Sequence, residues 1–138
     1  MDALSIKVKS VLNLLTGLVT QMETNAQESR IVAVIPCYNE QATIGRVVLG
    51  ALRSATDVIV INDGSMDRTE EEAKRAGALV ISHPKNRGKG AALKTAFEYL
   101  KQMQFKAAVV MDGDGQHDPA EITRLVEPII KGYADMVI

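Results

Sequence analysis

From residue 31 onward, short apolar runs rich in β-branched residues alternate with longer segments of helical character. Each apolar run is continuous rather than alternating with polar residues, as expected for strands that are covered on both faces. Because strand and helix alternate four times, the sequence predicts an α/β fold with a mostly parallel sheet and helices on both faces. The five predicted strands cover residues 31–35, 58–61, 78–82, 107–111 and 135–138.

Capping signals set the expected ends of the helices. Asn39 is a typical N-cap residue and predicts a helix that runs to about Ser54. Asp67 and Glu70 have the spacing of a capping box, and Gly77 is placed to end that helix. The other two helices are predicted over residues 90–103, with Leu93, Ala96, Phe97 and Leu100 on one face, and from the cap at Asp118-Pro119 to Gly132.

Residues 1–30 are predicted to form an amphipathic helix followed by a polar linker. Apolar residues recur at helical spacing between Leu4 and Val19, and residues 20–30 are polar. Because an apolar stripe needs a surface to cover it, we expect residues 4–19 to pack on the domain at 31–138 or to mediate self-association. A signal peptide is the less favoured interpretation, and the longest apolar runs are too short to span a membrane.

The charge balance limits the classes of partner. The 16 Lys and Arg residues against 17 Asp and Glu give a formal net charge of −1, so no global positive field favours nucleic acid. The single cysteine, Cys37, forms no internal disulfide and is expected to be a small buried residue rather than a nucleophile. These features fit a reducing, cytoplasmic setting.

Polar and glycine-rich segments follow each of the first four predicted strands. In parallel sheets the carboxyl ends of the strands share one edge, and ligands bind beyond that edge. The four segments are therefore expected to form one binding site. They cover residues 36–40, 62–65, 83–90 and 112–116.

Asp112 and Asp114, separated by Gly113, form the most informative of these segments. Two carboxylates at a strand end suit a hard cation such as Mg²⁺ or Mn²⁺ that also binds a diphosphate. A solvated acidic turn is the alternative for this motif taken alone. A calcium loop is excluded because His117 and Thr123 stand where that loop requires glycine and glutamate.

Three basic residues, Lys85, Arg87 and Lys89, lie just before the third predicted helix. A helix N-terminus favours anions, and Gly88 and Gly90 permit close approach of the backbone, so phosphate is the expected ligand. A solvated basic loop is the alternative. The spacing matches neither a P-loop nor a dinucleotide fingerprint.

Together the four segments resemble those of the family-2 glycosyltransferases with the GT-A fold, in particular the dolichyl-phosphate or polyprenyl-phosphate mannose and glucose synthases. The matching stretches are VIPCYNE (34–40), VIVINDGSMDRT (58–69), NRGKGAALKTAF (86–97) and VVMDGDGQHDP (110–119). The resemblance implies a Rossmann-like sheet whose carboxyl edge holds a nucleotide sugar and a divalent metal. It also implies that residues 31–138 are the nucleotide-sugar-binding half of such a domain, incomplete at the C-terminus.

The resemblance further implies roles for individual residues. Asp114 is a metal-holding candidate, and no catalytic residue is assigned because the acceptor side is expected beyond Ile138. Asn62 departs from the family's pattern, which often has aspartate there, so a contact from Asn62 to base or ribose is not carried over. The implied cofactor-binding residues are Pro36, Tyr38, Glu40, Asp63, Lys89 and Asp112, and the implied metal ligands are Asp112, Asp114 and Gln116.

The implied reaction is the inverting transfer of a hexose from GDP-mannose or UDP-glucose to an acceptor, a polyprenyl phosphate in the full-length protein, with Mg²⁺ or Mn²⁺ as cofactor. The chain alone is expected to bind nucleotide without transferring sugar, at the cytoplasmic face of a membrane. Two other interpretations stay open. A sugar-phosphate nucleotidyltransferase also uses a parallel sheet and acidic ligands, although residues 36–40 lack its glycine-rich signature. A non-catalytic nucleotide-binding fragment would bind nucleotide without turnover.

Overall fold

The computed structural model describes residues 3–133, which contain four strands and five helices. All strand pairs are parallel, in the order β3-β2-β1-β4. This confirms the predicted α/β architecture, while the fifth predicted strand lies outside the described residues. The elements are α1 (Ala3–Glu28), β1 (Ile31–Cys37), α2 (Ile44–Ala51), β2 (Asp57–Asn62), α3 (Thr69–Ala76), β3 (Leu79–Ser82), α4 (Lys89–Leu100), β4 (Ala107–Val110) and α5 (Glu121–Ile130).

Both faces of the sheet are covered, as its continuous apolar strands predict. On one face, Ile35 of β1 belongs to a buried cluster with Ile44 of α2 and Ile122 of α5. On the other face, Val34 belongs to a second cluster with Ala96 of α4. Successive side chains of β1 therefore enter two separate cores, which explains why the strand shows no polar alternation.

The register of the sheet aligns the ends of three strands. Cys37 at the end of β1 pairs with Asn62, the last residue of β2, and Asn62 pairs with Ser82, the last residue of β3. The residues that follow these strands therefore emerge side by side at one edge, where the sequence places the polar segments.

Both ends of α2 differ from the predictions. α2 begins at Ile44 with Thr43 at its N-cap, because Asn39 adopts a left-handed conformation with φ of 52°. The Asn39 carboxamide instead accepts a hydrogen bond from the Met66 backbone N–H at 2.9 Å, so it joins two loops rather than capping a helix. The predicted end of α2 near Ser54 is also wrong, since the helix ends at Ala51.

The predicted capping box at α3 does not form either. Glu70 bonds Lys74 and the Ser82 hydroxyl, while Asp67 accepts hydrogen bonds from the N–H and hydroxyl of Thr69. Glu70 and Asp67 thus bond other groups, including the distant Ser82, instead of forming the reciprocal pair. Gly77 ends the helix with φ of 106°, as predicted.

The last two helices are close to their predicted positions but differ in detail. α4 buries Ala92 together with Ala96 and Leu100, whereas Phe97 is half exposed, so the predicted apolar face is wrong at that position. α5 begins at Glu121, two residues after the predicted proline start, because the Asp118 carboxylate accepts the Ala120 N–H and forms a turn first.

α1 is one continuous helix, which overturns the predicted linker at 20–30. Three of its threonines donate their hydroxyls to carbonyls one turn earlier at 2.9–3.0 Å, so these polar residues are accommodated within the helix. The side chains of residues 8–26 are all exposed, and the prediction that this stripe packs on the domain is wrong for them. Within the described range, no helix is long and apolar enough to cross a membrane.

Candidate nucleotide-binding site

A cavity of about 360 Å³ lies at the carboxyl edge of the sheet. Its walls come from the segments that follow β1, β2, β3 and β4, so the structure assembles the four predicted segments at one place. Among the predicted site residues, those that line the cavity are Pro36, Tyr38, Glu40, Asp63, Lys89, Asp112 and Asp114. Gln116 is exposed and is not among the lining residues.

The acidic loop after β4 meets the start of α4. The Lys89 ammonium lies 2.5 Å from Asp112 Oδ1, in a pair that is partly open to solvent. Asp114 is exposed, and its Oδ1 accepts the Gln116 backbone N–H at 3.0 Å. Lys89, Asp112 and Asp114 thus line the same cavity, and the first two form an ion pair.

Gly113 allows this loop to lie close to the sheet. A side chain there would place its Cβ 3.0 Å from Cys37 Cβ, tighter than ordinary packing. The Gly113 carbonyl also accepts the Thr43 hydroxyl at 2.7 Å, which ties the loop to the start of α2. The two acidic side chains thus flank a backbone segment that is fixed on both sides.

The chemistry of this donor set fits a hard divalent cation. Within the described part of the chain, no three His, Cys, Asp or Glu residues form a cluster that would enclose a metal by itself. Mg²⁺ and its analogues, however, are commonly held by one or two carboxylates and complete their shell with water and substrate phosphates. Asp112 and Asp114 are the residues that would hold such an ion.

Asp63 also lines the cavity; it follows β2, on the side of β1 away from β4, and is almost completely buried. Its carboxylate lies 2.6 Å from His83 Nδ1 and accepts the backbone N–H groups of Gly88 at 2.7 Å and Arg87 at 3.0 Å. Burial alone would raise the pKa of Asp63, but the hydrogen bonds from His83, Arg87 and Gly88 outweigh it and hold the pKa below its usual range. Asp63 is therefore a carboxylate at neutral pH.

The basic segment after β3 contributes unevenly to the cavity. Lys89 lines it, whereas the side chains of Lys85 and Arg87 are exposed. Gly88 precedes α4 with φ of 96° and also lines the cavity. The start of α4 thus faces the site, where the helix dipole favours an anion.

Two further residues bear on the site. Cys37 lines the cavity, and burial, reinforced by Glu40 and Asp67, raises its pKa to about 12, in agreement with the predicted inert role. Asn62 is buried, donates to the Ser82 hydroxyl at 3.1 Å and accepts the Ser65 N–H at 3.2 Å. Asn62 therefore holds neighbouring loops in place.

Sequence patterns alone do not indicate that His83 lies beside Asp63. The ring is buried and occupies a position directly after β3. A histidine directly after a predicted strand is the available signal, but its partner lies 20 residues away in sequence.

Comparisons with known proteins identify a family and several relatives. The family model described as "Glycosyl transferase family 2" matches residues 32–138. The UDP-N-acetylglucosamine–dolichyl-phosphate N-acetylglucosaminyltransferase of Methanococcus voltae is 32% identical over 126 residues, which cover 78% of this chain and 50% of that protein. The undecaprenyl-phosphate 4-deoxy-4-formamido-L-arabinose transferase of Pseudomonas paraeruginosa is 37% identical over 112 residues, 72% of this chain and 32% of that protein.

Solved structures show the same fold. The glucosyl-3-phosphoglycerate synthase of Mycobacterium tuberculosis is 30% identical with a TM-score of 0.62, over 78% of this chain and 44% of that chain. The same enzyme in complex with Mn²⁺, uridine diphosphate and glucosyl-3-phosphoglycerate is 29% identical with a TM-score of 0.62, over 81% and 43%. The chain thus spans half or less of the length of the relatives described here.

Proposed function

Because the chain belongs to glycosyl transferase family 2, we propose that its cavity binds the nucleoside diphosphate of a sugar donor. The whole protein then transfers a hexose, with inversion, from GDP-mannose or UDP-glucose to a polyprenyl phosphate. This chain supplies the donor side of that reaction, and Mg²⁺ or Mn²⁺ is its cofactor.

One observation carries the proposal: the residues that line the cavity of about 360 Å³ follow strands on both sides of the central β1. Tyr38 and Asp63 follow β1 and β2, and they supply an aromatic face and a carboxylate that suit a nucleoside. Asp112 and Asp114 follow β4, and Lys89 pairs with Asp112, so a cation and two carboxylates that suit a diphosphate with its metal come from the side of β4. A nucleoside diphosphate joins the same two kinds of group.

The ion pair between Lys89 and Asp112 is central to the diphosphate end. Lys89 would contact the phosphate oxygens of a bound diphosphate, and Asp112, no longer paired with it, would be one of the two carboxylates that hold the cation. A divalent ion bound there would stabilise the negative charge that develops on the departing diphosphate. One charge pair about 4 Å apart contributes on the order of 4 kcal/mol at an effective dielectric constant near 20.

The acceptor proposal rests on the named relatives. Dolichyl phosphate is part of the name of the relative from Methanococcus voltae, and undecaprenyl phosphate is part of the name of the relative from Pseudomonas paraeruginosa. A lipid phosphate is already an anion, so its oxygen attacks the anomeric carbon without a protein base. The donor side then has to orient the sugar and stabilise the leaving group.

A thermal-shift panel tests the donor proposal on this chain. We expect UDP or GDP, and the corresponding nucleotide sugar, to raise the melting temperature of the chain in the presence of Mn²⁺, because a ligand that binds only the folded state stabilises it. AMP at the same concentration serves as the matched nucleotide control. No shift with any of UDP, GDP, UDP-glucose and GDP-mannose, at millimolar concentrations with Mn²⁺, would overturn the proposal.

A further inference from the structure

His83 is buried between Asp63 and the body of α4. Asp63 lines the part of the cavity proposed to contact the nucleoside, which we call the nucleoside wall. The imidazole is 8% exposed, and both of its nitrogens have partners. Nδ1 lies 2.6 Å from Asp63 Oδ1, and Nε2 lies 2.8 Å from the Thr95 hydroxyl. The ring therefore links the end of β2, the end of β3 and the second turn of α4.

We propose that His83 is a positioning residue for the nucleotide pocket: it orients the Asp63 carboxylate, which in turn fixes the backbone at Arg87 and Gly88. This inference rests on the proposed function and deepens it, because it identifies what holds the wall between the nucleoside and the start of α4.

The hydrogen-bond count at Asp63 explains why its orientation matters. A carboxylate has about four acceptor positions. Three donors already make four hydrogen bonds with Asp63, two on each oxygen, from His83 Nδ1 and the N–H groups of Arg87 and Gly88. A ligand must therefore share an oxygen that already accepts, and a small rotation of the carboxylate loses a loop contact.

His83 joins the sheet edge to α4 through its backbone and its ring. His83 N–H donates to the Asn62 carbonyl at 2.9 Å, which fixes the residue to the sheet edge. Thr95 also bonds the Ala91 carbonyl at 3.1 Å within α4. The imidazole therefore sets the distance between the sheet edge and the first turns of the helix that carries Lys89.

The assignment of hydrogens is fixed on the Asp63 side. An ionised carboxylate only accepts, so Nδ1 carries a hydrogen and donates it to Asp63. The Thr95 hydroxyl has one hydrogen, which goes either to Nε2 or to the Ala91 carbonyl. The contact with Asp63 does not depend on that choice.

Three substitutions separate positioning from simple packing. His83→Asn keeps an amide N–H where Nδ1 stands and is the conservative variant. His83→Leu fills similar space without a donor. Thr95→Val removes the hydroxyl partner of Nε2 and leaves the Asp63 contact, so it is expected to have the smaller effect.

The first readout is hydrogen exchange of the Arg87 and Gly88 amides without any nucleotide. We expect exchange about tenfold faster in His83→Leu, and within about threefold of the wild-type rate in His83→Asn. The amides of β1 serve as the reference for global stability, since they lie in the central strand. Unchanged protection of Arg87 and Gly88 in His83→Leu, relative to β1, would overturn the inference.

The second readout is nucleotide affinity measured with and without Mn²⁺. We expect His83→Leu to weaken UDP or GDP about tenfold in both conditions, so that the gain from Mn²⁺ is unchanged, and His83→Asn to restore most of the affinity. A loss confined to the Mn²⁺ arm, or no rescue by asparagine, would contradict a role at the nucleoside wall. If the wild-type chain binds neither nucleotide, the proposed function fails, and amide exchange still decides whether His83 positions Asp63.

Discussion

The Lys89 ammonium lies 2.5 Å from Asp112 Oδ1 at the mouth of the cavity. The charge of Lys89, which is expected to contact phosphate, and the charge of Asp112, which is expected to bind the metal, thus neutralise each other. Both side chains are more than one third exposed, so the pair contributes less than about 1 kcal/mol to stability. Its importance is expected to lie in binding rather than in folding.

Lys89→Gln tests this division. We expect the variant to weaken UDP or GDP about tenfold, because the diphosphate loses a charge-assisted contact, and to leave the melting temperature within about 2 °C. Calorimetric titration of the diphosphate beside the corresponding nucleoside monophosphate measures the effect. An equal loss for both ligands would place Lys89 elsewhere than at the diphosphate.

Gly113 and Gly90 form a matched pair for the backbone argument. A Cβ at Gly113 would lie 3.0 Å from Cys37 Cβ and 3.5 Å from both Ile35 and Ile44, whereas Gly90 has no atom within 4 Å. We expect Gly113→Ala to destabilise the fold by about 1–3 kcal/mol and Gly90→Ala, within α4, to stabilise it by about 0.5–1 kcal/mol. Urea unfolding of the two variants gives both values, and equal stabilities would contradict the packing described at Gly113.

Cys37 is expected to resist alkylation although it lines the cavity. Burial raises its pKa to about 12, so roughly one thiol in 10⁴ is ionised at pH 8, against about one in four for an ordinary cysteine. Iodoacetamide labelling followed by mass spectrometry should therefore be at least about 1,000-fold slower in the native chain than in urea, and should accelerate as pH rises. Similar native and unfolded rates at pH 8 would show that the thiol is accessible and ionised.

The apolar stripe of α1 is expected to mediate self-association. Its described side chains include Leu12, Leu15 and Leu18, each more than half exposed, and water around such a stripe favours burial against a second copy. Light scattering should give a larger number of protomers for the full chain than for residues 28–138. In the full chain, Leu15→Gln should reduce this number, and the control Thr16→Gln should leave it unchanged. The same number of protomers with and without residues 1–27 would exclude this role.

Strand positions and the shared site edge were predictable from the sequence because they depend on local signals. Continuous apolar runs identify strands that are covered on both faces, and parallel topology places their carboxyl ends together. For this reason Tyr38, Asp63, Lys89, Asp112 and Asp114 were all expected at one edge, and all of them line the cavity.

Other features depend on partners that are distant in sequence. Asn39 is a residue type that often caps helices, but its carboxamide oxygen accepts the N–H of Met66, 27 residues later in the sequence. His83 and Asp63 meet only because the register pairs the ends of β2 and β3. The helical period predicted that Phe97 is on the buried face of α4, but the residue that is buried with Ala96 and Leu100 is Ala92. Such choices are made by tertiary contacts rather than by propensity.

The central claim is that Asp112 and Asp114 bind a nucleoside diphosphate through a divalent cation. The most direct test is calorimetric titration of UDP and GDP, with and without Mn²⁺, into three chains: the wild type, Asp114→Asn, and Glu121→Gln as a control at a residue that does not line the cavity. We predict that Mn²⁺ tightens binding of one diphosphate at least about tenfold in the wild type and in Glu121→Gln, and that this gain disappears in Asp114→Asn while all three chains melt alike. An undiminished gain from Mn²⁺ in Asp114→Asn would contradict the account.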